Sequence, residues 1–273
     1  VFLAVSAILN IAWDLLFVAV FHWGIAGAAY ATIFAQYVSG IGILLYILFR
    51  CRSLFPERKD LCFDGGILKE IAGLSSLTCL QQSVMNFGIL MVQGLVNSFG
   101  ATTMAAFAAA VKIDTFAYLP VQDFGNAYST FVAQNYGAGN KERIRRGTKE
   151  SFAISTAFSL VISALVFAFA APLMQIFVSS AETAVIASGV RYLRIEGAFY
   201  FGIGCLFLLY GYYRAIKRAE MSVVLTVISL GIRVLLAYVL SATFLGETGI
   251  WMAIPIGWIL ADLTGLLYMR KTW

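Results

Sequence analysis

The feature that most constrains this chain is a succession of eight long apolar stretches, at residues 1–20, 25–49, 67–97, 101–133, 151–178, 185–213, 222–245 and 249–269. A helix needs about 20 apolar residues to cross the hydrocarbon core of a bilayer. Strands of a membrane barrel are about ten residues long and alternate polar with apolar positions. Neither trait is present, so the expected fold is an all-α polytopic membrane protein with eight transmembrane helices. Composition agrees. Hydrophobic residues make up 61% of the 273 and charged residues 12%, against about 25% charged in an ordinary soluble domain.

Short connections, His22-Trp23-Gly24, Ser98-Phe99-Gly100 and Gly246-Glu247-Thr248-Gly249, fall on one side of the membrane. The longer ones on the other side hold most of the 19 basic residues: Arg50, Arg52, Arg58, Lys59 and Lys69; Lys141, Arg143, Arg145, Arg146 and Lys149; Arg214, Lys217 and Arg218; and Arg270 with Lys271. The positive-inside rule makes this side cytoplasmic. Topology accounts for the net charge of +5, and no nucleic-acid partner is expected. Cys51, Cys62, Cys79 and Cys205 form no CxxC pair and His22 is the single histidine, too few ligands for a zinc cluster. An intramembrane serine hydrolase built on Gly73-Leu74-Ser75-Ser76 lacks a base, because His22 belongs to the opposite face. No enzymatic activity and no cofactor are expected.

The first two spans resemble the last two. Asp14-Leu15-Leu16 sits in a context like Arg233-Val234-Leu235, Gly27 matches Gly249, and Leu44-Leu45-Tyr46 matches Leu266-Leu267-Tyr268, at a nearly constant offset. Six helices separate equivalent spans, as in a protein of two six-helix halves, and such repeats are common in secondary transporters. On this reading residues 1–50 are the last two helices of an N-lobe, 51–66 a cytoplasmic inter-lobe linker and 67–273 a complete six-helix C-lobe. About four helices of the same chain would precede residue 1.

Ionisable groups at membrane depth are costly and functional by default. Six lie there: Asp14, Lys112, Asp114, Glu196, Arg233 and Asp262. Four are acidic, which favours cationic cargo, and the structural alternative is pairing across helices, Arg233 with Asp262 above all. Asn10 and Asp14, four apart, project from one helical face. A carboxylate beside a carboxamide oxygen begins a hard-cation site or a proton site tuned by burial; an interhelical hydrogen bond is the plainer reading. Gln82, Asn86, Gln93 and Asn97 stripe the third span, and Asp114, Tyr118, Gln122 and Asn126 the fourth, as the wall of a wet cavity would. Pro120, inside the second stripe, is expected to kink its helix. Tyr192, Glu196 and Tyr200 share a face of the sixth span, making Glu196 a candidate second proton site, with Arg194 or Arg233 as possible ion-pair partners.

Gln93-Gly94-Leu95-Val96-Asn97-Ser98-Phe99-Gly100, Ala105-Ala106-Phe107-Ala108-Ala109-Ala110, Pro120 and Phe131-Val132-Ala133-Gln134-Asn135-Tyr136-Gly137-Ala138-Gly139-Asn140 together resemble the multidrug and toxic compound extrusion (MATE) transporters. Leu9-Asn10-Ile11-Ala12-Trp13-Asp14 and Gly24-Ile25-Ala26-Gly27-Ala28-Ala29-Tyr30-Ala31-Thr32 are similar to that family's fifth and sixth helices, so the chain looks like helices 5 to 12 of twelve. The resemblance implies two lobes that rock about a central cavity in the cell membrane, exporting cationic, often aromatic compounds against an inward flow of H⁺ or Na⁺. It also implies a coupling site that joins Asn10, Asp14 and Thr32 to an aspartate of helix 1; with Na⁺ as coupling ion the same three would be its ligands. Gln93, Asn97, Lys112, Asp114, Tyr118 and Gln122 would line the cavity, and the protein is expected to be a monomer. A second family branch has a carboxylate on the helix that holds Gln82 to Asn97, and this sequence has none there. The rival is a lipid-linked-precursor flippase of the same superfamily, against which the acidic balance at membrane depth weighs. The Gln134–Asn140 turn reads as structural.

Overall fold

The computed structural model describes residues 2–51 and 63–272, all of whose regular structure is helical. The chain divides into two compact units, Val1–Leu68 and Lys69–Trp273. Most of the linker expected at 51–66 lies outside the described residues.

The first unit is a helical hairpin. Helix α1 (Phe2–Asp14) widens at its end into a π-helical segment, Leu15–Val20, and α2 spans Gly24–Arg50. The buried residues of α2 are Gly27, Ala31, Ala35 and Ser39, a row of small side chains at every fourth position. Such a row lets two helices approach closely where no hydrophobic effect drives them together. Ser6 of α1 fixes the approach by donating to the Ala35 carbonyl at 2.9 Å.

The second unit holds α3 (Gly65–Ser98, begun in the first), α4 (Ala101–Gly137), α5 (Lys141–Phe177), α6 (Thr183–Gly197), α7 (Tyr200–Ala215), α8 (Ala219–Thr226), a π segment (Val227–Gly231), α9 (Ile232–Ser241) and α10 (Glu247–Thr272). Among the described residues, six helical segments are long and apolar enough to cross a membrane, and α6 with α7 forms a seventh, bent by 52°. All eight apolar stretches are helical, but the first, at Ala4–Val20, is shorter than an ordinary span. The sixth is broken where a straight helix was expected. At the break the Phe199 amide turns back to the Glu196 carbonyl at 2.9 Å and the Gly202 amide to Phe199 at 2.8 Å.

Two more expectations change. The basic cluster from Lys141 onward belongs to the first turns of α5, not to a loop. Helix α4 ends in a Schellman turn, with Asn140 N–H on Asn135 O at 2.9 Å and Gly139 N–H on Tyr136 O at 3.1 Å. This needs a left-handed residue, and Gly139 supplies it at φ +70°. Asn140 then caps α5 by accepting from the Arg143 amide at 3.1 Å, so one short stretch both stops a helix and starts the next. Gly137 is the last helical residue of α4 and plays no such part. Pro120 sits within a single continuous α4; the non-helical residue is Phe169 of α5 (φ −104°, ψ 17°), three before Pro172.

The suspected repeat has a structural counterpart. A Cβ on Gly27 would lie 3.1 Å from the Phe17 backbone, and one on Gly249 would lie 2.6 Å from that of Leu240. In each hairpin a glycine in the second helix's first turn lets it press on the end of the first.

Candidate functional site

In the first unit, α1 and α2 bring Asn10 to Thr32. Asn10 Nδ2 donates to Thr32 Oγ1 at 3.4 Å, and Thr32 Oγ1 donates to the Ala28 carbonyl at 3.0 Å. Asp14, half-buried one turn beyond Asn10, keeps its Oδ1 shielded from solvent with no hydrogen-bond partner among the described residues. It is the last α-helical residue before the π segment, a irregularity common at functional sites. The Asn10 carbonyl, the Asp14 carboxylate and the Thr32 hydroxyl are all oxygen donors of the type that hard cations require.

In the second unit the ionisable residues of α4, α6 and α7 meet in the interior. Asp114 is 1% exposed; its Oδ2 accepts from Tyr192 at 2.7 Å and its Oδ1 from Tyr200. Glu196, 2% exposed, accepts at Oε1 from Tyr118, while its Oε2 is buried without a partner. The break between α6 and α7 lets Tyr192, Glu196 and Tyr200 all turn inward. Aromatic rings wall the cluster. Tyr118 meets Tyr200 and Trp258 edge-on at 5.7 and 6.1 Å, and Tyr192 meets Trp251 at 5.0 Å.

The expected Arg233–Asp262 pair is not formed. Asp262 lies beside the Cys205 thiol; among the described residues its Oδ1 has no partner, and the buried Arg233 Nε has none either. The Arg233 charge nevertheless acts on both Asp114 and Glu196 across the interior. Arg194 turns the other way, over the Phe167 ring at 5.4 Å, so Glu196 gains no ion pair from it.

The remaining predicted residues do not join this cluster. Gln93 Nε2 donates to Asn97 Oδ1 at 3.3 Å along α3. Lys112 is exposed in a groove with Thr102, Ser179 and Glu182, on the face of α4 away from Asp114. Gln122 is half-buried one turn beyond Tyr118.

Sequence reasoning missed Glu247, read only as part of a connection. Its Oε2 accepts from Thr103 at 2.9 Å and Ser188 at 3.1 Å, and its Oε1 pairs with Arg191 at 3.3 Å. One carboxylate thereby ties the ends of α4, α6 and α10. The available signal was an acid in the first turn of a helix, where the dipole favours it. At the basic end, Lys217 holds Glu70 at 2.6 Å, and this hydrogen-bonded carboxylate raises the Lys217 ammonium above the usual lysine range. Arg218 donates to the Tyr268 hydroxyl at 2.6 Å.

Helices this long and apolar define a multi-pass integral membrane protein. Residues 77–239 match the sequence model of the MatE family, and the chain belongs to that family. It is similar to the probable multidrug resistance protein YpnP of Bacillus subtilis, 30% identical over 272 residues covering 98% of this chain and 60% of the relative. The probable multidrug resistance protein NorM of Thermotoga maritima is 28% identical over 90% of this chain and 53% of its own length. A crystal structure of MATE in complex with MaL6 superposes with a TM-score of 0.91 at 24% identity, over 99% of this chain and 61% of that one. The chain thus spans 53–61% of the length of these three proteins.

Proposed function

We propose that the whole protein is a secondary antiporter of the cell membrane that exports cationic, often aromatic drugs or toxic compounds in exchange for H⁺ or Na⁺. Two lobes alternate access to a central cavity, residues 1–50 contributing to one and 67–273 forming the other, with the basic ends cytoplasmic. The observation that carries the reading is the unpartnered, solvent-shielded Asp14 carboxylate oxygen one turn from the Asn10–Thr32 contact. A buried carboxylate with a free lone pair and neutral oxygens close by suits a proton or Na⁺, and occupancy there would bias the equilibrium between two states. Family membership and the multidrug names of the relatives support the cargo class. Glu196 is the second proton site, and Tyr118 offers a ring face to cationic cargo. Four acidic residues against two basic at membrane depth disfavour the lipid-linked-precursor flippase.

The test uses full-length protein in a host stripped of its own efflux pumps, with accumulation of a fluorescent cationic dye followed at matched expression. Wild type lowers dye levels and Asp14→Asn does not; dependence on external Na⁺ identifies the coupling ion. If wild type leaves several such dyes unchanged, the multidrug reading fails.

A further inference from the structure

Helix α5 carries a polar row that the coupling reading does not use. Thr148, Ser155, Ser159 and Ser163 lie on its inward face and are 3%, 4%, 1% and 7% exposed. Thr148 is satisfied, through its own Ile144 carbonyl at 2.7 Å and the Tyr128 hydroxyl at 2.7 Å. The three serine hydroxyls have no hydrogen-bond partner among the described residues.

Their setting is a seam between α4, α5 and α7. Helices α5 and α7 run antiparallel there. The Ser155 and Ser159 hydroxyls both point at Gly204 of α7, where a Cβ would meet them at 3.0 and 2.9 Å with Val121 of α4 at 3.2 Å. One helical turn along α7 from Gly204 is Tyr200, which holds Asp114. One turn along α5 in the same direction is Ser163. Toward the basic end the seam reaches Tyr212, buried and electrostatically linked to Tyr128, and then the Tyr128–Thr148 contact. Polar groups thus step from the basic end to the carboxylates, and no described residue satisfies the serines in the middle.

Buried hydroxyls in native proteins are almost always hydrogen-bonded, and where the protein provides no partner, a polar seam takes up water. We propose that a file of water molecules occupies the α4–α5–α7 seam, bound by Ser155, Ser159 and Ser163, and carries protons between the basic end and the Tyr200–Asp114–Glu196 cluster. The proton role, though not the hydration, rests on the reading of Glu196 as a second proton site. Asp114 is faced by Tyr192 from α6 and Tyr200 from α7, and shares the cluster with Tyr118 of α4, Glu196 of α6 and the Arg233 charge of α9. A proton arriving at Tyr200 therefore meets Asp114 directly, with Glu196 held by Tyr118 in the same cluster.

Radiolytic hydroxyl labelling of the full-length protein in lipid nanodiscs tests the hydration, because radicals form from water beside the side chain they modify. In wild type Tyr200 labels about fivefold faster than Phe107, a core ring stacked on Trp251, as a residue beside bound water should. The Ser155→Ala/Ser159→Ala double variant lowers labelling of Tyr200 while Tyr128, near the mouth, is unchanged. Should that variant fail to fold, Gly204→Ala, whose methyl would crowd both hydroxyls, takes its place. Equal labelling of Tyr200 and Phe107 in wild type, or no change in the variant, overturns the proposal. A second arm reads proton movement with a pH dye in proteoliposomes during dye export, where the double variant slows it. If labelling falls but proton movement is unchanged, the water file stands and its conducting role is overturned. Unaltered proton coupling in Glu196→Gln strikes the underlying reading instead.

Discussion

Asp114 accepts from a pair of buried tyrosine hydroxyls, and the worth of that contact can be measured. Tyr192→Phe removes the 2.7 Å hydrogen bond to Oδ2 without changing the ring that packs on Trp251. Interhelical hydrogen bonds in membranes average about 0.6 kcal/mol and reach about 1.7 in double-mutant cycles, because the unfolded chain in lipid also finds partners. Two facts place this bond at the upper end. Tyr192 and Asp114 are 2% and 1% exposed, so bulk water cannot replace the lost donor. The acceptor is also a carboxylate, and bonds to charged groups are worth about 1.5–3 kcal/mol in soluble proteins. We therefore expect a coupling of about 1–2 kcal/mol between Tyr192→Phe and Asp114→Leu, as these two estimates bracket it. The assay is a double-mutant cycle by reversible SDS unfolding of the full-length protein in bicelles, with Tyr200→Phe run in parallel. Tyr192→Phe should cost this much in the wild-type background and almost nothing once Asp114 is leucine. Equal cost in both backgrounds would refute the reasoning, since the hydroxyl would then be acting on something other than Asp114.

Other substitutions probe the packing and the turns by the same unfolding assay. Gly257→Ala places a Cβ 2.3 Å from the Ser229 carbonyl and should destabilise by about 1–3 kcal/mol through overpacking. Gly94→Ala meets nothing within 4 Å and should stabilise by up to about 1 kcal/mol from helix propensity alone. Asn140→Ala removes the cap of α5 and should cost about 1 kcal/mol, whereas Asn140→Asp should cost little.

The helices were legible because length and hydropathy alone decide what can cross a bilayer, and eight apolar runs did become helices. Asn10 and Thr32, assigned to one site by family resemblance, do meet across α1 and α2. The interior of the second unit was harder to read. Tyr192, Glu196 and Tyr200 were expected on one face of a continuous helix; they meet in one cluster across a 52° bend instead, and the turn at Ala198–Phe199 has no proline to mark it. Asp114 and Lys112 were both expected to line the cavity, whereas two residues apart on a helix point nearly opposite ways. Glu247 was overlooked because its partners, Thr103, Ser188 and Arg191, are remote in sequence and only the fold assembles them. The serines of α5 sit in an apolar run, and their lack of partners is visible only once neighbouring helices are in place.

The two ends of the second unit are fastened by different kinds of contact. At one end Glu247 is held chiefly by the buried hydroxyls of Thr103 and Ser188. At the basic end the Lys217–Glu70 pair lies open to solvent, with both side chains more than half exposed. Counter-ions at physiological strength screen charges over about 8 Å and weaken such open pairs far more than enclosed ones. Ionic strength therefore acts on this bundle unevenly, loosening α3 from the α7–α8 corner while the knot around Glu247 keeps its grip.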